Sequence, residues 1–154
     1  MNFQLSEEEV QQILARYPHP SAALLPMLRL IQGRIGYIPP GAEVYAAETL
    51  GVDPVRVHEV VTFYSAFREK PAGRYLILVC ESISCSLSGG ENILSFLKDY
   101  LKLDVGETTE DRRFTLETTE CLAQCERSPA VMINGEIHAP ATPDEVEKIL
   151  SELA

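Results

Sequence analysis

Two pairs of cysteines, each reached at the end of a strand-like run, constrain this chain more than any other feature. Cys80 closes the run Tyr75-Leu-Ile-Leu-Val-Cys80, and Cys85 follows after four intervening residues. The second run, Arg113 to Glu120, leads into Cys121, and Cys125 comes after three more. Thirty-five residues separate the pairs, and the sequence contains no other cysteine. Loops at strand ends are positioned by a rigid sheet, so both pairs can be aimed at one point. The fold must therefore carry two strand ends toward a common place.

The pattern around the cysteines says how. Tyr75 to Val79 is apolar, of strand length and too short for a helix. From Ser86 to Leu103 the residues Ile93, Leu94, Leu97, Tyr100 and Leu101 form a helical stripe, preceded by Ser88-Gly-Gly90. Arg113-Phe-Thr-Leu-Glu-Thr-Thr alternates and is rich in β-formers. Ala130 to Ile133, Asn134-Gly135 and Glu136 to His138 read as a hairpin, because Asn-Gly suits a type I′ turn. Thr142-Pro-Asp-Glu145 is a capping box opening a last helix that buries Val146, Ile149, Leu150 and Leu153. A strand–helix–strand start predicts a parallel pair with a right-handed crossover. The hairpin then extends the sheet antiparallel. The order predicts a thioredoxin-like α/β domain over 71–154, with a mixed four-stranded sheet and the second cysteine loop in place of the usual middle helix.

Residues 1–70 predict a helical bundle, making the whole chain α+β. Ser6 and Glu9 form a capping box before Val10, Ile13, Leu14 and Tyr17, and Pro18-His-Pro20 stops that helix. A second helix from near Ser21 buries Leu24, Leu25, Leu28 and Ile31 and ends at Gly33 or Gly36. After the turn Tyr37-Ile-Pro-Pro-Gly41 come a short helix from Ala42 to Leu50 and another opened by Asp53-Pro54. The last places Val57, Val60, Val61 and Tyr64 on one side, beside Phe63 and Phe67, an aromatic group that reads as core or interface. His19 and His58 read as surface or packing histidines rather than ligands. Lys70-Pro-Ala-Gly73 is the linker.

Charge excludes several functions. Residues 71–154 carry fifteen acids and seven bases, and residues 1–70 eight acids and six bases. An acidic domain does not displace counterions from nucleic acid and is not drawn to an anionic membrane surface. Apolar runs reach about six residues, far below the ~20 needed to cross a bilayer, and no basic, apolar leader is visible. A cytoplasmic protein is expected, and in a reducing cytosol paired cysteines serve as metal ligands or redox groups more often than as disulfides.

Three uses of four thiols compete on the residues alone. Zinc ribbons present two Cys-x-x-Cys knuckles, tighter than the spacings here. Disulfides or simply buried thiols would be structural. An iron–sulfur cluster takes four thiolates in both [2Fe–2S] and [4Fe–4S] forms, and two loops giving two thiolates each suit a [2Fe–2S] rhomb with one pair per iron. Thiol oxidoreductase chemistry of the thioredoxin kind needs a Cys-x-x-Cys that is missing. Neither a Gly-x-Gly-x-x-Gly frame nor a Ser-His-Asp arrangement is present, so no catalysis is expected from this chain alone.

Val60-Val-Thr-Phe-Tyr64, Gly36-Tyr-Ile-Pro-Pro40, Cys80-Glu-Ser-Ile-Ser-Cys85 and Cys121-Leu-Ala-Gln-Cys125-x-x-x-Pro129 together resemble the E-subunit family of bacterial NADH:quinone oxidoreductase, respiratory complex I. The resemblance runs through nearly the whole chain. It departs at Ala123-Gln124, where relatives often show Gly-Ala. It implies a thioredoxin-like [2Fe–2S] electron-transfer protein with Cys80, Cys85, Cys121 and Cys125 as cluster ligands. It also implies a flavin- and NADH-binding partner, of the F-subunit type of complex I, which would hold the FMN and NAD. The assembly would lie on the cytoplasmic face of the inner membrane without inserting this chain. The same family supplies the small diaphorase subunit of NAD-linked or electron-bifurcating hydrogenases and formate dehydrogenases. The zinc-stabilised interaction module is the reading from another class. The acidic excess around the cysteines predicts a low reduction potential, with backbone N–H groups near Ser86 to Ser88 and the Arg127 side chain acting in the opposite sense.

Overall fold

The computed structural model describes residues 3–153. It divides into two compact units, Met1–Pro71 and Ala72–Ala154.

The first unit is helical. Helix α1 (Glu7–Leu14) begins at a reciprocal cap. The Ser6 hydroxyl accepts the Glu9 N–H at 3.2 Å, and the Glu9 carboxylate accepts the Ser6 N–H at 2.7 Å. A 3₁₀ turn over Pro20–Ala23 leads into α2 (Leu24–Ile35). That helix buries Leu24, Met27, Leu28 and Ile31 at helical spacing and ends where Gly36 takes φ 88°. Helix α3 (Pro40–Leu50) starts two residues before the expected Ala42. Proline suits the first helical turn, where its missing N–H has no partner to lose. Asp53 caps α4 (Pro54–Phe63), its carboxylate accepting the Val55 N–H at 2.8 Å.

Met27, Leu28, Ile31, Ile38 and Val57 are fully enclosed, each side chain contributing about 1.5–3 kcal/mol by burial. The aromatic group divides. Phe67 joins this core, whereas Phe63 is 79% and Tyr64 43% exposed. Gln32 pins the segment after α4, donating to the Ala66 carbonyl and accepting the Arg68 N–H, each at 2.8 Å.

In the second unit, β1 (Tyr75–Cys80) runs through the middle of the sheet. It pairs in parallel with β3 (Phe114–Thr119) and antiparallel with β4 (Val131–Ile133), which pairs with β5 (Glu136–His138). The two-residue strand β2 (Glu107–Thr108) lies outside β3, giving five strands in the order β2-β3-β1-β4-β5 rather than the expected four. Two residues are too few to show a period of two, so only pairing reveals this edge. Asn134 at φ 48° and Gly135 at φ 91° make the hairpin turn between β4 and β5. The Asn134 amide also accepts the Leu76 N–H and donates to the Arg74 carbonyl.

The expected helix over Ser86 to Leu103 is two helices, α5 (Ile83–Leu87) and α6 (Gly90–Leu101), parted where Gly89 takes φ 98°. Helix α6, with α7 (Pro143–Glu152), covers the sheet through Ile93, Leu97, Val146 and Leu150 against Ile77, Val79, Leu116 and Val131. No helix among the described residues is long and apolar enough to cross a membrane.

Candidate functional site

The parallel register places the cysteines. Cys80 pairs with Thr119, so β1 and β3 finish level and Cys121 lies just past the end of its strand. The chain returns to the same end at Ala130, whose carbonyl accepts the Cys80 N–H at 3.1 Å; the Glu81 N–H reaches the Thr119 carbonyl at 2.9 Å. Cys85 sits on the single turn of α5 rather than in open loop, and Cys125 opens a 3₁₀ turn over Cys125–Arg127. The two loops are tied together. Leu122 packs against the small buried cluster formed by Cys80, Cys85 and Ala130, and the Ser88 and Ser128 hydroxyls share a 2.8 Å hydrogen bond.

All four thiols are free, but they are not equivalent: Cys80 and Cys85 are 3% and 1% exposed, while Cys121 and Cys125 face solvent. Burial pushes the Cys80 thiol up, yet the Ser82 and Leu122 backbone N–H groups and the Cys85 thiol donate to its sulfur, and the net shift is downward. Cys85 is pushed up, first by burial and then by its bond to Cys80, with a backbone bond from Ala130 opposing. The Ala123 N–H meets the Cys121 sulfur at 3.3 Å. The inner pair is thus reached by amides from both loops, which favour the thiolate form at Cys80 more than at Cys85.

The expected donors near Ser86 to Ser88 are spent inside α5. The Ser86 N–H bonds the Ser82 carbonyl at 2.9 Å and the Ser88 N–H the Ser84 carbonyl at 3.1 Å. Ser82, Leu122, Ala123 and Ala130 take that part instead. Arg127 is exposed and, with Lys148 and His138, lines a separate groove beside α7.

Two backbone details hold the loops in shape. Ala123, at φ 56°, occupies the left-handed region that favours glycine. Gly90 faces the Cys85 carbonyl so closely that a Cβ would lie 2.9 Å from the oxygen. Beside the buried pair, Ile83 and Leu87 are 77% and 84% exposed on the outer side of α5.

A group bound here would have to be anchored by thiolate and accommodate added negative charge, which the free thiols and the sulfur-directed amides suit. Tetrahedral zinc, with Zn–S near 2.3 Å, would set four sulfurs about 3.8 Å apart. Among the described residues, three metal-competent ligand atoms fall within 4.8 Å of one another only at Glu43, His58 and Glu69, so no three of the four sulfurs lie that close together. A binuclear centre, with one pair of thiolates at each metal, fits such a spread.

That second place, in the helical unit, had not been expected. His58 is not isolated: its Nδ1 lies 3.0 Å from Glu43 Oε2. The missed signal was Glu43 itself, which shares helical spacing with the buried Ala46, Ala47 and Leu50 and is only 7% exposed.

A family model described as thioredoxin-like [2Fe-2S] ferredoxin matches residues 10–154. The E subunit of NADH-quinone oxidoreductase from Mycobacterium tuberculosis (strain ATCC 25618 / H37Rv) is 37% identical over 147 residues, covering 96% of this chain and 58% of that protein. The chain therefore spans little more than half the length of this mycobacterial relative. The protein of the same name from Pseudomonas aeruginosa is 37% identical over 151 residues, covering 96% of this chain and 91% of the relative. Among solved structures, an NAD+-reducing [NiFe]-hydrogenase in the H2-reduced state aligns with TM-score 0.71 at 18% identity, over 82% of this chain and 22% of that one. At that identity the likeness concerns the fold.

Proposed function

The chain belongs to the thioredoxin-like [2Fe–2S] ferredoxin family, and on that premise we propose that it is a one-electron relay within an NADH-oxidising flavoprotein assembly. Its ligands are Cys80, Cys85, Cys121 and Cys125, the inner pair serving one iron and the outer pair the other. The observation carrying this reading is the convergence of two thiol pairs at one sheet end, with the Ala123 N–H on the Cys121 sulfur and Leu122 packed against the buried pair. When bound, the cluster supplies reversible one-electron chemistry and gains one negative charge on reduction.

The chain's own residues do the rest. The amides lower the cost of that charge, while the fifteen acids of residues 71–154 raise it. Cys80 and Cys85 are shielded from water; Cys121 and Cys125 lie at the surface, where an electron can enter or leave.

The partner is a flavin- and NADH-binding protein of the F-subunit type of complex I, holding the FMN and NAD that this chain has no frame to bind. Support comes from relatives named as the E subunit of NADH-quinone oxidoreductase and from the bare apolar side chains Ile83 and Leu87 next to the thiols. The exposed Phe63 and Tyr64 offer a second docking patch on the helical unit. Such a protein is held on the cytoplasmic face of the inner membrane by its assembly. A small diaphorase subunit of a hydrogenase or formate dehydrogenase has the same chemistry, and the co-purifying partner distinguishes the two.

The test is anaerobic purification with iron and acid-labile sulfide assays, and EPR before and after dithionite. Two irons and two sulfides per chain, EPR-silent until reduced, are expected. Zinc without sulfide would remove the electron-carrier reading. Serine variants of Cys80 or Cys85 should alter the reduced spectrum differently from those of Cys121 or Cys125. Indistinguishable spectra across all four would overturn the pairing.

A further inference from the structure

We propose that Glu43, His58 and Glu69 form a second metal site, in the helical unit, that takes a borderline divalent transition ion such as zinc. The three residues come from separate places, α3, α4 and the bend after α4, and their ligand atoms lie within 4.8 Å of one another. Glu43 is the observation that points to a ligand. Its side chain is 10% exposed, on a helix face otherwise made of Ala42, Ala46, Ala47 and Leu50. One oxygen bonds His58 Nδ1 at 3.0 Å, and the other has no hydrogen-bond partner among the described residues. That second oxygen keeps some access to solvent, so it is open to an incoming ion, and the low exposure of the rest of the side chain favours a cation beside the carboxylate.

Glu69 strengthens the case. Arg68 and Lys70 flank it, yet it makes no ion pair or hydrogen bond among the described residues. Its carboxylate instead approaches a second carboxylate and an imidazole. Two like charges at that range repel, and a divalent cation between them converts the repulsion into attraction. The segment bearing Glu69 is anchored immediately upstream, where the Ile38 N–H donates to the Arg68 carbonyl at 2.7 Å and Gln32 accepts the Arg68 N–H.

The geometry and donor types narrow the ion. Zinc bonds of 2.0–2.1 Å place tetrahedral donors about 3.3 Å apart. The Glu43–His58 edge is already near that length, and the exposed Glu69 side chain has only to close the remaining gap. An imidazole nitrogen with two carboxylates suits zinc and its neighbours, whereas calcium and magnesium prefer all-oxygen sites. With Nδ1 as the ligand, the neutral ring is the tautomer that carries its one proton on Nε2; His58 is 56% exposed, so water can hydrogen-bond that edge. Water completes the fourth position. The thiols play no part, so this site and the cluster stand or fall separately.

The experiment uses the full chain with its cluster intact, freed of loose metal by a chelator, and titrated with Zn2+ by equilibrium dialysis and metal analysis. One zinc per chain is expected in addition to two irons. Glu69→Gln and His58→Ala should each weaken it at least about tenfold, as loss of a direct ligand must cost no less than loss of a supporting group. Iron and sulfide contents should not change. Zinc should also raise the melting temperature of the parent and not of the variants. Glu69 is exposed, so its variant folds even where a His58 change disturbs α4. The proposal is overturned if the parent takes up no zinc beyond its irons. It is equally overturned if both variants bind zinc as the parent does, which would place the ion elsewhere.

Discussion

A single methyl group added at Gly90 tests whether the packing beneath Cys85 is rigid. The new Cβ would lie 2.9 Å from the Cys85 carbonyl oxygen, 3.1 Å from its carbon and 3.4 Å from the Cys80 carbonyl oxygen. Reaching ordinary contact with the first of these requires a shift of about 0.5 Å between α6 and the backbone of α5. Neither side yields easily. Ile93 and Leu97 fix α6 at 1% and 0% exposure, and Cys85 is itself buried. Overpacking of this kind costs about 1–3 kcal/mol, and alanine regains about 0.5–1 kcal/mol over glycine in a helix. The net expectation for Gly90→Ala is a loss of about 1–2 kcal/mol, or several degrees in melting temperature.

Gly33→Ala, on α2 with nothing within 4 Å of its Cβ, should instead gain about 1 kcal/mol. Urea unfolding measures both changes, and iron retained after prolonged dialysis reads the effect at Cys85. If Gly90→Ala proved as stable as the parent and held iron as well, the close approach would be soft and the reasoning wrong.

Ala123→Gly should relieve the left-handed strain at φ 56° and stabilise the loop by about 1 kcal/mol; a lower unfolding midpoint would contradict this. Leu122→Ala removes the side chain that packs the second loop on Cys80 and Cys85, so iron should leave faster under a chelator at nearly unchanged secondary structure by circular dichroism. The Glu9 carboxyl is held down to about 2, first by the Ser6 N–H, then by the Arg34 side chain and the Ser6 hydroxyl. A depressed folded-state pKa contributes stability above the ordinary value of 4.5, and that stability is lost as pH falls toward 2. Glu9→Gln should thus destabilise the chain at neutral pH, and the difference from the parent should shrink through the acid limb; a gap constant from pH 6 to pH 2 would count against the paired cap.

Much of the architecture was legible because its signals are local. Ser6 with Glu9, Thr142 with Glu145, and Asn134-Gly135 each specify backbone geometry within four residues; the structure carries the first and last in full, while at Thr142 the hydroxyl caps the Glu145 N–H but the Glu145 carboxylate accepts that hydroxyl instead of the Thr142 N–H. The apolar run at Tyr75 read as a strand because a central strand is covered on both faces. Where local signals were weak, the reading slipped. β2 shows no period, and the stripe from Ile93 to Leu101 concealed the break at Gly89, since periodicity is blind to a single left-handed residue.

By itself the sequence determined that four thiols fall in two pairs after two strands and that a helical unit precedes them. These depend on residue type and spacing, which folding does not alter. Only the tertiary structure decided that Cys80 and Cys85 are enclosed while Cys121 and Cys125 face water, which backbone groups reach the sulfurs, and that Glu43 meets His58 across fifteen residues. Each depends on how β1 registers against β3 or α3 against α4. Such long-range packing leaves no mark in local periodicity, because burial depends on what lies opposite a residue, not beside it in the chain.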